Sequence, residues 1–557
     1  MEAANRSGTS TAARPSRVLI LGGGYVAVYA CRALKRAMRA GQVEVVVVSR
    51  ANYQAFHGFI GEMVTGRLMP STILSPARRL YGPARVHVGE IERVDLRDRV
   101  VRTSRSIDGA RQELRFDQLV VCLGSTDRLE AYPGLAEHAF RLKTYDDCAR
   151  LRNHIIRMFE LADIEPDPDE RRRLLTFFVA GGGFAGTEVA GEVSDFATRL
   201  TRAEYRGVRR DECRVVLVHP GPTILPELHG DDGSGAQAFP KLVEFAMERM
   251  RELGVEVMTA TTVDAVTPSE VSLSSGERIP TRTVISAVGT KASAIVERLP
   301  LPKEERGRIV TDHTLRVPGH PGIWAGGDNA AVPKPGGGTC PPVAIYAMHH
   351  GAQIGRNIAR MAAGKRPRRF RFPGLGQAAS VGRRSAIGEL KGIQFTGLPA
   401  WLLWRGFLLY YLPSWDRRLR IVADWAIWPI VGRDIVETGD RGGDYDLRQN
   451  VFQPGEIVAS EARTGRYVHV IVEGEVEILR ELEDGREEVL AVRRQGDNFG
   501  SRWTESFDLE FARARTAVRT IAVRRDQAPE LQEVLRSAGQ LVAESGYFPT
   551  ITDVPRS

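Results

Sequence analysis

The sequence near the N-terminus predicts a β-strand, a glycine turn, a helix and a second strand, and this order constrains the fold most. The apolar run 18–21 precedes the turn, and helix-forming sequence (30–38) and a β-branched run (43–48) follow it. The turn has a GxGxxA pattern formed by Gly22, Gly23, Gly24, Tyr25 and Ala27. Gly22 allows a tight turn, Gly24 lets the backbone approach a pyrophosphate, and Ala27 keeps the helix close to the strand. We therefore predict a dinucleotide-binding unit whose helix N-terminus receives phosphates.

The same pattern occurs a second time. A predicted strand (174–180) leads into a full GxGxxG turn, followed by helix-forming sequence (187–200) and another predicted strand (214–218). The glycines of this second turn are Gly181, Gly183 and Gly186. An internal duplication of such a unit is hard to obtain by accident, so the chain is predicted to bind two dinucleotides.

Both units lack the acid that normally holds the adenosine ribose at the end of the second strand. Ser49, followed by Arg50, stands there in the first unit and His219 in the second. Ser49 can hydrogen-bond a ribose hydroxyl but supplies no charge. His219 is either a ribose partner or a strand-end residue without a ligand role, and the pattern does not choose between NADH and NADPH.

Composition and charge exclude several classes of protein. A chain of 557 residues is too long for one core, so about three domains are expected. The net charge is +8, and seven cations without any acid lie between Gly364 and Gly388. Neither a nucleic-acid motif nor a zinc spacing accompanies them, so we expect no nucleic acid and no metal. The N-terminal residues contain no apolar signal segment and are expected to form a disordered tail.

The five cysteines occur without CxxC or CxxxxC spacing. They are expected to be buried thiols in a reducing compartment. The spacing also excludes a redox-active disulfide.

The remaining pattern up to residue 328 alternates predicted strands and helices. An antiparallel meander is expected over 85–103, helices over 146–161 and 239–253, and a charged, proline-marked hinge over 165–173. Three buried strands end in Gly124, in Gly289 and in the sequence Ala-Gly-Gly-Asp that closes with Asp328.

Together, the paired glycine loops and these three strand ends resemble the two-dinucleotide-binding flavoprotein reductases, over residues 17 to 360. The resemblance implies that the first loop holds FAD and the inserted second unit holds a nicotinamide cofactor. It also implies that Asp328 bonds the ribityl chain of FAD.

Further sequence features resemble the type II NADH dehydrogenases, the single-subunit NADH:quinone oxidoreductases. The resemblance is carried by 379–386, by 400–413, and by Phe184-Ala-Gly-Thr-Glu188 with Gly191-Glu192 in the second loop. It implies hydride transfer from NADH to FAD and delivery of two electrons to a membrane quinone. Glu188 matches a family acid near the nicotinamide and quinone sites, although it can equally be a helix N-terminal charge.

The quinone-side helix departs from that family. Its signature AQxAxQ is here Ala344-Ile345-Tyr346-Ala347-Met348-His349, so Ile345 and His349 replace two glutamines on one helix face. His349 can contact a quinone and deliver a proton. It can equally be a packed histidine beside His350, which leaves the electron acceptor open.

Two apolar segments near residue 400 are predicted to lie on a membrane rather than cross it. Segments 398–412 and 421–431 are shorter than a spanning helix requires. Five of the seven tryptophans and the cations Arg405, Arg417, Arg418 and Arg420 are in this region. Tryptophan favours the headgroup layer, and arginine can extend to lipid phosphates. Residues 397–436 are thus expected to bind an anionic surface at the cytoplasmic face of the cell membrane, with a dimer interface or a core helix pair as the alternative.

The chain after residue 441 resembles a cyclic-nucleotide-binding β-roll. Arg515 matches the arginine that takes the phosphate in that family, but Ser501 stands where a ribose-binding glutamate is expected. A degenerate module that regulates or assembles the enzyme is therefore favoured over one that binds a cyclic nucleotide.

The predicted fold is α/β, with two Rossmann-like domains, the second inserted in the first, and an all-β jelly-roll domain. The predicted segments are a tail (1–16), the FAD domain (17–145 and 301–395), the NAD(P)H domain (146–300), membrane-surface helices (396–440), the β-roll (441–545) and a tail (546–557). The predicted function is that of a peripheral membrane NADH:quinone oxidoreductase. A flavin-based redox sensor and an NAD(P)H reductase for another acceptor are the alternatives, and a homodimer is possible.

Overall fold

The computed structural model describes residues 14–105, 111–228, 238–437, 448–452, 454–455, 457–460, 467–481, 486–499 and 510–524. The chain divides into two compact units, Met1–Glu437 and Thr438–Ser557.

A seven-stranded sheet forms the first dinucleotide-binding domain. Its strands, in spatial order, are Ile323–Ala325, Gln118–Val121, Ser16–Leu21, Val43–Ser49, Arg85–Asp95, Val100–Arg105 and Arg111–Arg115. The first five are parallel and the last two extend the sheet as the predicted antiparallel meander. The central strands are runs of valine, leucine and isoleucine because both faces of a parallel sheet are covered.

Two helices of this domain pack closely against each other. Tyr25–Arg39 follows the first glycine turn, and Ala344–Ala362 lies against it. A Cβ at Gly351 would come within 2.2 Å of the Val26 carbonyl oxygen, so only glycine allows this approach.

A second, five-stranded parallel sheet is inserted between strands of the first. Its order is Ala139–Phe140, Thr283–Ser286, Thr176–Ala180, Arg214–Val218 and Val255–Met258. The helices Tyr145–Ile164, Phe184–Ala203 and Pro240–Glu252 belong to this part of the chain, as does an antiparallel sheet of Val263–Val266, Glu270–Leu273 and Arg278–Pro280. The prediction of two Rossmann-like domains, one inserted in the other, is confirmed.

The prediction of a hinge over 165–173 is wrong. Residues Pro168–Leu174 form a helix that starts with proline at its first position. The Asp167 side chain accepts a hydrogen bond from the Asp169 backbone N–H. Proline and acids are favoured in a first helical turn, so this composition marks a helix start as well as a break.

Three antiparallel strands and two helices end the first unit. The strands are Gly376–Ser380, Ala386–Leu390 and Ile393–Thr396, and the helices are Gly397–Tyr411 and Trp415–Val431. Among the described residues, every helix is too short or too polar to cross a membrane.

Short elements complete the first unit. The strands are Tyr53–Ala55 with Leu74–Pro76, Ser125–Asp127 with Thr290–Ala292, and Ile309–Val310 with Ala330–Ala331; the helical turns are His57–Phe59, Ile60–Val64, Pro70–Ile73, Ala77–Tyr81, Leu129–Ala131, Leu135–His138, Arg210–Glu212, Pro226–Leu228 and Ala294–Arg298. All five cysteines are buried free thiols, as the sequence predicted.

The second unit consists of two antiparallel four-stranded sheets. One orders Arg448–Phe452, Val518–Arg524, Tyr467–Glu473 and Asn498–Phe499, and the other Ile457–Ser460, Glu510–Ala514, Val476–Glu481 and Glu487–Arg493. Its core contains Val458, Ile471, Val476, Phe499 and Val518. Ser501 lies outside the described residues.

Candidate functional site

The first glycine loop leaves its third position open. Gly22 has φ of 111°, and a Cβ there would come within 2.2 Å of the Cys122 carbonyl oxygen. By contrast, a Cβ at Gly24 would meet no atom within 4 Å. The backbone at the start of helix Tyr25–Arg39 is thus accessible to a phosphate group.

Tyr81 bonds to the backbone of this loop at Gly23, and Ser49 packs against the same residue. The Tyr81 hydroxyl donates to the Gly23 carbonyl oxygen at 2.7 Å, and a Cβ at Gly23 would lie 2.3 Å from the Ser49 Oγ. The buried Ser49 hydroxyl donates to the Ala51 carbonyl oxygen at 2.9 Å, whereas the exposed Arg50 pairs with Glu90. Ser49 therefore adjoins the loop with its own hydrogen already donated. Tyr81 was not predicted from the sequence because it lies far along the chain.

Asp328 lies in a polar cluster at the carboxyl end of the first sheet. The Ser125 hydroxyl donates to Asp328 Oδ2 at 3.0 Å, and the Lys143 ammonium donates to Ser125 Oγ at 2.8 Å. Lys143 Nζ is 4.0 Å from the Asp328 carboxylate. The Asn329 side chain accepts from the Gly124 backbone N–H at 3.1 Å. The structure thus brings Gly124 and Asp328 together, and adds Ser125 and Lys143, which sequence analysis missed.

The two histidines of helix Ala344–Ala362 have different surroundings. The Gly327 backbone N–H donates to His350 Nδ1 at 3.2 Å, and burial lowers the pKa of His350 to about 3. His349 stacks on Phe372, with ring centroids 3.7 Å apart and an interplanar angle of 6°. Burial, and then Arg356, lower the pKa of His349. His350 thus supports the loop before Asp328 as a neutral ring, and His349 packs against an aromatic side chain.

The first glycine of the second loop has the same left-handed backbone conformation as the first glycine of the first loop. Gly181 has φ of 108°, and a Cβ there would come within 2.4 Å of the Ala287 carbonyl oxygen. A Cβ at Gly186 would lie 1.8 Å from the Gly181 carbonyl oxygen. Gly289 is exposed, and its carbonyl oxygen accepts from the Arg128 backbone N–H.

Two side chains from the loop after strand Arg214–Val218 contact this second turn. His219 Nδ1 accepts from the Gly182 backbone N–H at 3.2 Å, so His219 supports the turn through its ring. Glu227 Oε1 accepts from the Phe184 backbone N–H at 3.1 Å. A Cβ at Gly183 would come within 2.5 Å of that same oxygen, in contrast to the open space at Gly24.

Glu188 lies where the second loop's helix meets the C-terminal sheet. Its Oε1 accepts from the Ser380 backbone N–H at 2.9 Å. Burial, together with the nearby acids Glu192 and Glu62, raises the pKa of Glu188 to about 8. A carboxyl with this pKa holds its proton at neutral pH and can donate it.

A buried network of charges continues from this helix. Arg67 pairs with Glu192 at 3.0 Å and with Asp195 at 2.5 Å, and Arg433 also pairs with Asp195. The two arginines and two acids pair with one another, and this pairing offsets the free-energy cost of removing their charges from water.

Arg405 and Arg417 do not reach outward to lipid, contrary to the sequence-based prediction. The buried Arg405 pairs with Glu62 at 2.6 Å and lies between the rings of Trp401 and Trp425. The Arg417 side chain is 14% exposed and lies 3.6 Å from Asp416. An arginine next to an apolar segment can pair inward as readily as outward, and for Arg405 the fold brings the acid, Glu62, from far along the chain.

Apolar side chains nevertheless remain exposed around these helices. They are Leu398, Leu402, Leu403, Tyr410, Trp415, Leu419, Val422 and Ile427.

In the second unit, Arg515 is already paired. It lies 3.3 Å from Glu475 and 3.5 Å from Glu477. A phosphate at this arginine would have to compete with two carboxylates.

Comparisons with known proteins agree with this geometry. Residues 16–351 match the pyridine nucleotide-disulphide oxidoreductase family, 375–434 the NDH2 C-terminal domain, and 449–533 the cyclic nucleotide-binding domain. A type II NADH:quinone oxidoreductase of Mycobacterium tuberculosis, NdhA, is 30% identical over 429 residues, which cover 74% of this chain and 86% of the relative. A second from that organism, Ndh, is 28% identical over 433 residues, which cover 75% of this chain and 89% of the relative.

A solved structure shares the fold. NDH2 from Plasmodium falciparum in complex with NADH has a TM-score of 0.69 at 16% identity, covering 76% of this chain and 100% of that chain. The chain therefore belongs to the pyridine nucleotide-disulphide oxidoreductase family and, within it, to the type II NADH:quinone oxidoreductases.

Proposed function

We propose that the protein binds FAD at the first glycine loop, oxidises NADH, and passes two electrons to a quinone at a membrane surface. The observation that carries this proposal is the open position at Gly24, on the same sheet edge as Gly124 and Asp328.

The residues of the first domain fit FAD. The backbone N–H groups at the start of helix Tyr25–Arg39 would bind the diphosphate, since the space above Gly24 is free. Asp328, bonded by Ser125 and near Lys143, would accept from a ribityl hydroxyl. When bound, the flavin supplies the two-electron chemistry between nicotinamide and quinone.

Glu188 would hold a proton for the quinone, which gains two protons on reduction. With a pKa of about 8 it is protonated at neutral pH, and its bond from the Ser380 N–H orients the carboxyl. Ile345 is apolar and supplies no second donor, whereas His349, whose ring stacks on Phe372, would be the second candidate donor.

The exposed apolar residues of the two C-terminal helices would enter the lipid headgroup layer. A quinone headgroup could then approach the flavin from the lipid side. An acceptor dissolved in water would not require the enzyme to lie on a membrane. The cations between Lys365 and Arg384 would add attraction to an anionic, cytoplasmic membrane face.

The test begins with detergent-purified protein, its flavin absorbance, and NADH oxidation with and without a short-chain quinone. Bound FAD and quinone-dependent turnover are expected. The variant Gly24→Val should lose FAD while keeping the fold, because its side chain fills the proposed cradle. Gly406→Val is the matched control, since a Cβ at Gly406 also meets no atom within 4 Å. Equal FAD content in both variants would contradict the assignment.

The same assay distinguishes a redox sensor. Reduction of the flavin by NADH without quinone turnover would favour a sensor that signals through the second unit.

The β-roll is proposed to regulate or assemble the enzyme without binding a cyclic nucleotide, because Glu475 and Glu477 already pair with Arg515. Calorimetry with cyclic AMP and cyclic GMP should show no tight binding, and tight binding of either would overturn this view.

A further inference from the structure

The two glycine loops differ at one position that matters for ligand binding. Gly24 in the first loop faces open space, whereas Gly183 in the second faces the Glu227 carboxylate, within 2.5 Å of a Cβ built there. The N–H of Phe184, which follows Gly183, donates to Glu227 Oε1 at 3.1 Å. The second loop therefore has a carboxylate where the first has free space.

The segment before Glu227 is fastened to the loop. The Leu225 backbone N–H donates to the Gly182 carbonyl oxygen at 2.7 Å. Leu225 is buried and has φ of 60°, in the left-handed region that residues other than glycine rarely adopt. Buried packing and this hydrogen bond hold Leu225 in place, and Glu227 follows two residues later at the exposed start of the turn Pro226–Leu228.

A carboxylate and a diphosphate are attracted to this position by the same forces. The helix Phe184–Ala203 has no acid in its own first turn, and Glu227 lies at the positive end of its dipole and accepts from the Phe184 N–H. A dinucleotide diphosphate uses the same N–H groups. The two anions cannot share them, because they would overlap and repel each other.

We infer that Glu227 is a built-in competitor for the diphosphate of the nicotinamide dinucleotide and must swing away before the dinucleotide binds. This inference rests on the proposed function. Because Glu227 is exposed, water can hydrate the displaced carboxylate, so the competition weakens binding without abolishing it. Glu227 thereby raises the concentration of dinucleotide that is needed to occupy the binding site at the second loop.

The experiment compares wild-type holoenzyme with Glu227→Ala and Glu227→Gln. The readouts are the Kd for ADP-ribose, which carries the diphosphate without the nicotinamide, and the KM and kcat for NADH with a short-chain quinone. Glu227→Ala is expected to lower both Kd and KM by roughly two- to tenfold, the range of a helix-capping interaction. Glu227→Gln should lower them less, because its amide oxygen can still accept from Phe184. The Kd for ADP-ribose decides the test, because Glu227 also helps to raise the pKa of Glu188, the proposed proton donor.

Glu256→Gln is the matched control, since Glu256 is a carboxylate of the same domain that pairs with Arg214. It should leave Kd and KM unchanged. Unchanged or weaker ADP-ribose binding by Glu227→Ala, with an active wild type, would overturn the inference alone. If neither wild type nor variants bind ADP-ribose or oxidise NADH, the proposed function falls as well.

Discussion

Glu188 accepts a hydrogen bond from the Ser380 backbone N–H across 2.9 Å, and this bond joins the helix of the second glycine loop to the C-terminal sheet. The same two elements approach closely at Gly191, where a Cβ would lie 3.2 Å from the Gly382 nitrogen. The Glu188 carboxyl is thus one of the links between the domain that would bind nicotinamide and the C-terminal sheet.

Replacing Glu188 by glutamine is expected to change how stability depends on pH. The pKa of Glu188 is about 8 in the folded protein against a usual 4.5, so the unfolded chain loses this proton first as pH rises. The free energy of unfolding therefore falls as pH rises from 4.5 to 8. The loss grows from about 1 kcal/mol near pH 5 to about 4 kcal/mol at pH 8. Glu188→Gln does not titrate and should gain stability relative to wild type from pH 5 to pH 8.

Thermal unfolding at both pH values measures this difference. The exposed Glu244→Gln is the control and should show no such trend. A Glu188→Gln difference that is constant with pH would contradict the raised pKa.

Removing Arg405 is expected to destabilise the first unit because Glu62 would lose its buried cation. Arg405→Met should cost about 3 to 5 kcal/mol, the usual effect of breaking a buried ion pair. The double variant Glu62→Gln/Arg405→Met should recover part of this loss, since no charge is then left unpaired. Urea unfolding measures each free energy, and Arg209→Ala, at an exposed pair with Asp211, should change it little. Additive single and double effects would contradict coupling between Arg405 and Glu62.

His350 is expected to make the protein sensitive to acid. Burial holds its pKa at about 3 in the folded state, below the usual 6.5, so the unfolded chain binds the proton first as pH falls. Its contribution to stability is complete above pH 6.5 and declines as pH falls from 6.5 to about 3. His350→Asn keeps an acceptor for the Gly327 N–H but does not titrate.

Unfolding of His350→Asn, wild type and the exposed His313→Asn should be compared at pH 7 and pH 5. Only His350→Asn is expected to lose less stability than wild type on acidification. Parallel losses in all three proteins would show that His350 is accessible to protons in the folded state.

Charging the exposed apolar face is expected to detach the protein from lipid. Leu402 and Leu403 are 58% and 55% exposed on helix Gly397–Tyr411. The double variant Leu402→Glu/Leu403→Glu should reduce binding to anionic vesicles by about tenfold or more, through lost apolar burial and added repulsion. Flavin content and turnover with a short-chain quinone should persist.

Vesicle co-sedimentation measures the bound fraction. Val489→Glu is the matched control, because Val489 is 53% exposed in the second unit. Equal retention of both variants on vesicles would exclude this face as the lipid-binding surface.

Local sequence was sufficient to locate both glycine loops. Gly22 and Gly181 adopt nearly the same φ, because a strand that turns at once into a helix leaves little conformational choice. Apolar runs of four to seven residues likewise marked the buried parallel strands on either side.

The surroundings of those loops were decided by the fold, because each neighbour comes from a distant part of the chain. Tyr81 reaches Gly23, Lys143 reaches Ser125 beside Asp328, and Arg405 turns inward to Glu62. No pattern of neighbouring residues encodes such pairs. The two loops therefore share one local motif, yet packing leaves Gly24 open and brings Glu227 against Gly183.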